Sequence, residues 1–305
     1  MRILLTGGSG MVGRNILHYY QKREYEVYAP SSRELDLTKY EDVKTYLKKI
    51  DPEMIIHAAG LVGGIQANIN NPVDFLTVNT DIARNLILSA REYGVKKLLN
   101  IASSCMYPKS AENPLKEDVI LDGKLEPTNE GYALAKIYAT KLCEYINKEN
   151  KNFQYRTIIP CNLYGKFDKF SPHNSHMLPA VIRKIYLAKV YNKSTVTIWG
   201  DGEARREFMY VEDLADFIYF AIENFYLLPQ NINVGLGHDY SINEYYLVVA
   251  KVIGYNGDFV HDLDKPVGMH QKLIDNTKIK KMGWQPKFSL EQGIQETFNY
   301  FKTLV

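Results

Sequence analysis

The sequence predicts an α/β protein: a doubly wound parallel sheet of Rossmann type, with a smaller, mixed α/β C-terminal lobe that takes the substrate. Three observations predict it. Short apolar runs alternate with helical stretches through the first half of the chain. The first run ends in a glycine cluster that opens a helix. Past Tyr164-Gly165 the alternation loosens, although apolar segments continue to the C-terminus. Strand–helix alternation builds a parallel sheet with helices on both faces, and right-handed crossovers set ligands along the carboxyl ends of its strands.

The elements follow in order. Arg2-Ile3-Leu4-Leu5-Thr6 is a continuous apolar run stopped by glycine, the pattern of a strand buried on both faces. Residues 11–20 have helical spacing, 26–29 read as a second strand, 42–50 as a helix and 54–59 as a third strand. A long helix over 74–93 leads to a strand at 97–101, and a helix over 130–147 to a strand at 154–159. Residues 166–175 are polar and show no period. Helices are expected at 179–189, 212–224, 242–253 and 290–301, and strands at 196–199 and 231–235, the last returning to the sheet. Residues 1–165 with the return segment 206–235 are therefore expected to form the dinucleotide domain. Residues 166–205 and 236–305 form the substrate lobe, with the active cleft between the two.

Composition narrows the function. The 305 residues are 46% hydrophobic and 24% charged, enough for a large core. A net charge of +2 with scattered basic residues points to neither nucleic acid nor a membrane surface as partner. Three cysteines do not make a disulfide framework and fit a reducing compartment. The N-terminus lacks the pattern of a leader peptide and no apolar run is long enough to span a bilayer, so a cytoplasmic location is expected. No metal site is expected.

Gly7-Gly8-Ser9-Gly10-Met11-Val12-Gly13 lies between a strand and a helix, the context that makes a glycine pattern informative. Gly7 allows the tight turn, Gly10 lets backbone approach a pyrophosphate, and Gly13 lets the helix pack on the strand. The helix N-terminus supplies N–H donors and partial positive charge. After the second strand comes Pro30-Ser31-Ser32-Arg33, with no acid before Glu34. Hydroxyls and Arg33 suit a 2′-phosphate, so NADP(H) is favoured over NAD(H).

Tyr-x-x-x-Lys occurs at Tyr40/Lys44, Tyr93/Lys97 and Tyr132/Lys136. Tyr132/Lys136 alone opens the long helix after the fourth strand, downstream of Ser103-Ser104-Cys105-Met106-Tyr107-Pro108 at a sheet carboxyl end. The i, i+4 spacing sets both side chains on one helix face, and a neighbouring ammonium is expected to lower the phenol's pKa. Cys143 and Cys161 read as packing and His57 as structural.

These motifs resemble the extended short-chain dehydrogenase/reductases. Leu61-Val62-Gly63-Gly64-Ile65, Asn79, the Ser-Ser-Cys-Met-Tyr-Pro segment, Glu126-Pro127-Thr128-Asn129-Glu130, Asn162-Leu163-Tyr164-Gly165, Asn174-Ser175-His176, Trp199-Gly200-Asp201-Gly202, Arg206-Glu207-Phe208 and Ile232-Asn233-Val234-Gly235 resemble GDP-L-fucose synthases. The resemblance runs from Arg2 to about Phe301. It implies epimerisation of GDP-4-keto-6-deoxy-D-mannose at C3 and C5, then reduction at C4 with NADPH. A C4 ketone acidifies the hydrogens at both neighbouring carbons, so one carbonyl clamp serves the enolates and the final alkoxide. By the resemblance Ser103 and Tyr132 form that clamp, Tyr132 donates a proton to O4, Lys136 holds the nicotinamide ribose, and Cys105 and His176 are the epimerisation pair. Asp36, Leu37, Ala58, Ala59, Pro160, Asn162, Leu163 and His176 are expected along the cofactor with the turn residues. Ser104, Cys105, Asn162, Lys184, Trp199, Arg206 and Lys272 are expected at the nucleotide sugar, and a homodimer through the helices 74–93 and 130–147. The chain departs from the family at Lys166-Phe167-Asp168-Lys169 and at Lys265-Pro266-Val267-Gly268, which opens the sugar to alternatives such as a GDP-4-keto-heptose. Two further readings compete: a C4 reductase whose epimerisation residues are idle, and a non-catalytic NADP-binding protein. The intact Ser103, Tyr132 and Lys136 argue against the latter.

Overall fold

The computed structural model describes residues 1–20, 25–171, 175–265 and 269–305. Its strands are β1 (Arg2–Thr6), β2 (Glu26–Tyr28), β3 (Met54–His57), β4 (Lys97–Ile101), β5 (Gln154–Pro160), β6 (Asn162–Tyr164), β7 (Thr195–Trp199), β8 (Arg205–Arg206), β9 (Phe208–Tyr210), β10 (Asn231–Val234), β11 (Tyr240–Ser241), β12 (Asp258–Asp262) and β13 (Gln271–Lys272). Its helices are α1 (Met11–Tyr20), α2 (Tyr40–Ile50), α3 (Ile65–Asn70), α4 (Pro72–Tyr93), α5 (Glu130–Glu149), α6 (Met177–Val190), α7 (Val211–Glu223), α8 (Ile242–Ile253), α9 (Thr277–Lys281) and α10 (Leu290–Lys302).

Six strands form one sheet in the order β2-β1-β3-β4-β5-β10, every pair parallel. Alternation along each strand feeds two cores. Ile3 and Leu5 of β1 enter one apolar cluster, while Leu4 enters the other with Val43, Leu86 and Tyr155. The chain runs outward from β1 to β2 and returns to β3 on the other side, which opens a crevice at the carboxyl ends of β1 and β3. The expected return of residues 231–235 to the sheet is seen as β10, at the edge beside β5.

A third apolar cluster lies among α6, α8 and α10, with Ile182, Ile185, Tyr245, Val249 and Phe301 at its centre. Capping boxes start α8 at Ser241/Glu244 and α10 at Ser289/Gln292. Small sheets stitch this part to the rest: β8 between β11 and β13, β7 beside β12, and β6 beside β9. β7 was expected at 196–199; the other short strands and α3 were not expected from periodicity. A two-residue strand is set by its distant partner rather than by local pattern. Asn174 and the Pro266-Val267-Gly268 departure lie outside the described residues. Among the described residues no helix is long and apolar enough to cross a membrane.

Candidate active site

The glycine turn closes onto the end of β3. Gly7 has φ +75°, and a Cβ there would lie 2.6–2.7 Å from backbone atoms of Ala58 and Ala59. A Cβ on Gly13 would lie 2.2 Å from the Gly7 carbonyl oxygen and 2.6 Å from Gly8 Cα. Gly10 differs: its Cβ would meet the Gly7 oxygen at 3.4 Å and nothing nearer, so its outer side is open. The turn is tight where helix meets strand and open where a ligand would approach. Met11 and Val12, half-buried, begin α1 at that opening, which gives the geometry a dinucleotide requires.

The adenosine end is more engaged than the sequence implied. The Ser31 hydroxyl and backbone N–H both donate to Glu34 Oε2 at 2.8 Å, which holds the Glu34 carboxyl below its usual range. Ser32 and Arg33 are exposed beside it. Asp36 turns back to accept from the Thr38 N–H and hydroxyl at 3.0 and 2.6 Å. The Leu37 carbonyl accepts from Asn85 Nδ2 at 3.0 Å.

The residues expected at the ketone gather at the carboxyl end of β4 and the start of α5. Ser103 Oγ accepts from the Cys105 N–H at 3.4 Å and caps a short turn. Lys136 is buried on α5 and donates from Nζ to the Ile101 carbonyl at 3.0 Å, with Nζ 5.6 Å from the centre of the Tyr132 ring. Asn79 of α4 holds the Leu61 loop against this group. Its Oδ1 accepts from the Leu61 N–H at 2.8 Å and its Nδ2 donates to the Leu61 carbonyl at 3.1 Å. A cleft of about 510 Å³, lined by Leu61, Val62, Phe75, Lys169 and Phe170 among others, lies beside it, and the Phe75 and Tyr132 rings are 6.3 Å apart, edge to face. Ser104 is buried, as are Cys105 and Lys136.

Charges here are set by burial. Desolvation raises the Cys105 thiol, against the pull of Lys272, Ser103 and Lys136. It lowers Lys136 to about 8 and lowers His176, which heads α6 near Lys169. It also raises Tyr132 far above a free phenol, with Cys105 adding to the rise. That corrects one expectation: Lys136 was to lower the phenol's pKa, but burial raises it, and Lys136 is itself held down by burial.

The remaining predicted residues divide in two. Pro160 ends β5, Leu163 pairs with Met209 in β6/β9, and Asn162 donates from Nδ2 to the Glu207 carbonyl at 3.0 Å. Arg206 on β8 faces Lys272 on β13 in register. Lys184 donates to the Thr197 carbonyl at 2.8 Å, and Trp199, 62% exposed, ends β7 with Lys265 Nζ 5.8 Å from its ring centre. The structure thus brings Ser103, Cys105, Tyr132, Lys136 and Lys272 together, while Lys184 and Trp199 make their contacts within the C-terminal lobe. Cys143 and His57 are core residues as expected, the His57 Nδ1 being 2.9 Å from Thr6 Oγ1.

A family model described as the NAD dependent epimerase/dehydratase family matches residues 3–235. The chain belongs to that family. A GDP-L-colitose synthase of Yersinia pseudotuberculosis is 61% identical over 99% of this chain and 98% of its own length. A GDP-L-fucose synthase of Azorhizobium caulinodans is 50% identical over 99% and 96%. A solved GDP-mannoheptose C4 reductase from Campylobacter jejuni, with NADP bound, superposes with a TM-score of 0.90 at 32% identity, covering 99% of this chain and 98% of that one. Within the epimerase/dehydratase family the chain therefore groups with the GDP-L-fucose synthases, and it is an NADP-dependent oxidoreductase.

Sequence reading gave no role to two residues that the hydrogen bonding now singles out. Asn15 of α1 donates from Nδ2 to the Lys166 carbonyl at 2.9 Å, tying the dinucleotide helix to the 166–170 loop. Glu207, quoted only as the centre of a motif, is almost fully buried. Asn15, which also donates to the Met11 carbonyl at 2.8 Å, and the acid between Arg206 and Phe208 gave no signal of these roles, because the partners that matter, Lys166 for Asn15 and Leu236, Gly237 and Ile274 for Glu207, are distant backbone groups.

Proposed function

We propose that the chain converts GDP-4-keto-6-deoxy-D-mannose to GDP-L-fucose, by epimerisation at C3 and C5 followed by reduction at C4. The carrying observation is that buried Cys105 and Lys136 share one site with half-buried Ser103 and Tyr132. A base beside a carbonyl clamp can exchange the protons that the ketone acidifies. Ser103 and Tyr132 hold O4. Cys105 takes a proton from the sugar ring and His176 returns one on the other face. Tyr132 delivers the last proton to O4, while Lys136 stabilises the developing charge and orients the ribose. Bound NADPH supplies the hydride. Arg206 and Lys272 receive the diphosphate, and Trp199 and Lys184 the nucleoside end. The working unit is a homodimer.

A second substrate is favoured by the 61% identity to a GDP-L-colitose synthase. Colitose lacks the 3-hydroxyl of fucose, so its 4-keto precursor has no stereocentre at C3 to invert. Incubating each ketone with the protein in deuterated water without NADPH, with NMR of the recovered sugar, tests the proposal. Deuterium at C3 and C5 of the 3-hydroxy sugar is expected. Its absence from both positions refutes the epimerase half. A kcat/KM higher for the 3-deoxy ketone than for its 3-hydroxy counterpart assigns the colitose substrate instead.

A further inference from the structure

Arg206 and Lys272 are neighbours across β8 and β13, two strands of two residues each. Ladders that short do not hold two cations in register by themselves. Among the described residues neither cation pairs with a carboxylate at ion-pair distance. Arg206 donates from Nη1 to the carbonyl of its own neighbour, Arg205, at 2.8 Å. Something must hold both backbones in place against their mutual repulsion.

That role falls to the next residue in the chain. The Glu207 side chain, 1% exposed, accepts three backbone N–H bonds from two distant segments. Oε1 accepts from Leu236 at 2.5 Å and from Gly237 at 2.8 Å, in the loop after β10. Oε2 accepts from Ile274 at 3.1 Å, two residues beyond Lys272. The Glu207 carbonyl is itself held by Asn162 Nδ2 at 3.0 Å. Gly235 completes the fit, since a Cβ there would stand 2.5 Å from Oε1. One carboxylate therefore joins the strand of Arg206, the strand of Lys272 and the return loop of the sheet.

We propose that Glu207 is a positioning residue that sets Arg206 and Lys272 as one clamp for the diphosphate of the nucleotide sugar, and that its ionisation controls the grip. This rests on the proposed nucleotide-sugar function. Ionised, the carboxylate has acceptors for all three N–H groups. Protonated, it carries a hydrogen on one oxygen. Oε2, with one long bond, takes that hydrogen most easily and releases Ile274, and with it the Lys272 strand. Burial supports this, pushing Glu207 up to about 7 against the opposing pull of its backbone donors. The titratable groups that face it are Asp239, Cys161 and Tyr245. Asp239 is already paired with Arg205 at 2.7 Å, and the Cys161 and Tyr245 protons are held on by burial.

GDP-mannose is the probe, because it carries the diphosphate without a ketone and its diester phosphates do not titrate near neutrality. Its affinity for the full chain is measured by calorimetry from pH 6 to 8.5, with NADPH affinity as the check on folding. Wild-type affinity is expected to fall about tenfold from pH 8 to pH 6, as loss of one charge-assisted contact implies. Glu207→Gln puts an amide where Oε2 faces Ile274 and is expected to bind about tenfold more weakly at pH 8, with no further fall at pH 6. Its NADPH affinity matches wild type at each pH. Gly235→Ala, pressing on Oε1, is expected to weaken GDP-mannose in the same way. Wild-type affinity in E207Q at pH 8, or an undiminished pH dependence in that variant, overturns the inference alone. If E207Q does not fold, a flat wild-type pH series overturns it. Wild type that binds NADPH but not GDP-mannose overturns both the inference and the nucleotide-sugar function.

Discussion

Tyr132 and Lys136 lie one helical turn apart on α5, and burial drives their pKa values in opposite directions. The phenol rises far above its usual value, and the ammonium drops to about 8. A phenol so raised keeps its proton throughout the neutral range. It therefore carries a proton to give when charge develops on O4. Lys136 is charged below about 8, when it can stabilise charge growing on O4. Tyr132→Phe removes the proton and leaves the ring's contact with Phe75 intact. It is expected to lower kcat for NADPH oxidation about 10²–10⁴-fold, the usual worth of a general acid. Stopped-assay kinetics with the 4-keto sugar check this, and turnover within tenfold of wild type refutes the donor role. At this scale the candidate site was legible, since Ser103, Cys105, Tyr132 and Lys136 follow a strand and open a helix in one stretch of sequence, and the structure brings them together. Glu207 and Asn15 were not, because a side chain that binds backbone leaves no partner pattern in the sequence.

The glycine turn is the element where sequence and geometry agree most closely, because each close approach excludes a side chain for a stated reason. Gly13 is the most constrained. Its Cβ would stand 2.2 Å from a carbonyl oxygen of the same turn, and that oxygen already accepts from the Gly10 N–H at 3.0 Å. Backbone on both sides cannot move without pulling α1 off β1. Gly13→Ala is therefore expected to cost about 1–3 kcal/mol of stability, as overpacking does. It is also expected to weaken NADPH by at least about tenfold through displaced N–H donors. Denaturant unfolding and fluorescence titration measure the two, and an alanine variant with wild-type NADPH affinity refutes the role given to this turn. The long helices and central strands were legible for a related reason: each carries its own period and its own stops, such as Pro72 at the start of α4 and Gly94, φ +95°, at its end. The strands β6, β8, β9, β11 and β13 were not, being two or three residues whose pairing depends on chain more than thirty residues away.

For the whole molecule, two long helices on one side of the sheet keep apolar residues in the open. α4 and α5 pack closely, since a Cβ on Gly131 would stand 2.8 Å from the Pro72 carbonyl oxygen. On α4, Val73 and Leu76, three residues apart, are 68% and 36% exposed. On α5, Leu134 and Tyr145 are 41% and 58% exposed and eleven residues apart, three helical turns on one face. Ile65 and Ile69 of α3, which precedes α4 in the chain, are 64% and 50% exposed. Exposed apolar residues on two packed helices are expected to form a contact surface, which a two-fold axis would match with itself through four helices. Such an interface needs about 800 Å² from each protomer, which helices of 22 and 20 residues can supply. Sizing chromatography with light scattering is expected to give twice the chain mass at micromolar concentration. Leu134→Asp with Tyr145→Asp sets four carboxylates against apolar surface across the axis and is expected to leave a monomer that still binds NADPH, because the turn at Gly7–Gly13 belongs to one chain. A monomeric wild type refutes the dimer. A double variant that stays dimeric moves the interface elsewhere and leaves the apolar face of α4 and α5 without the role given to it.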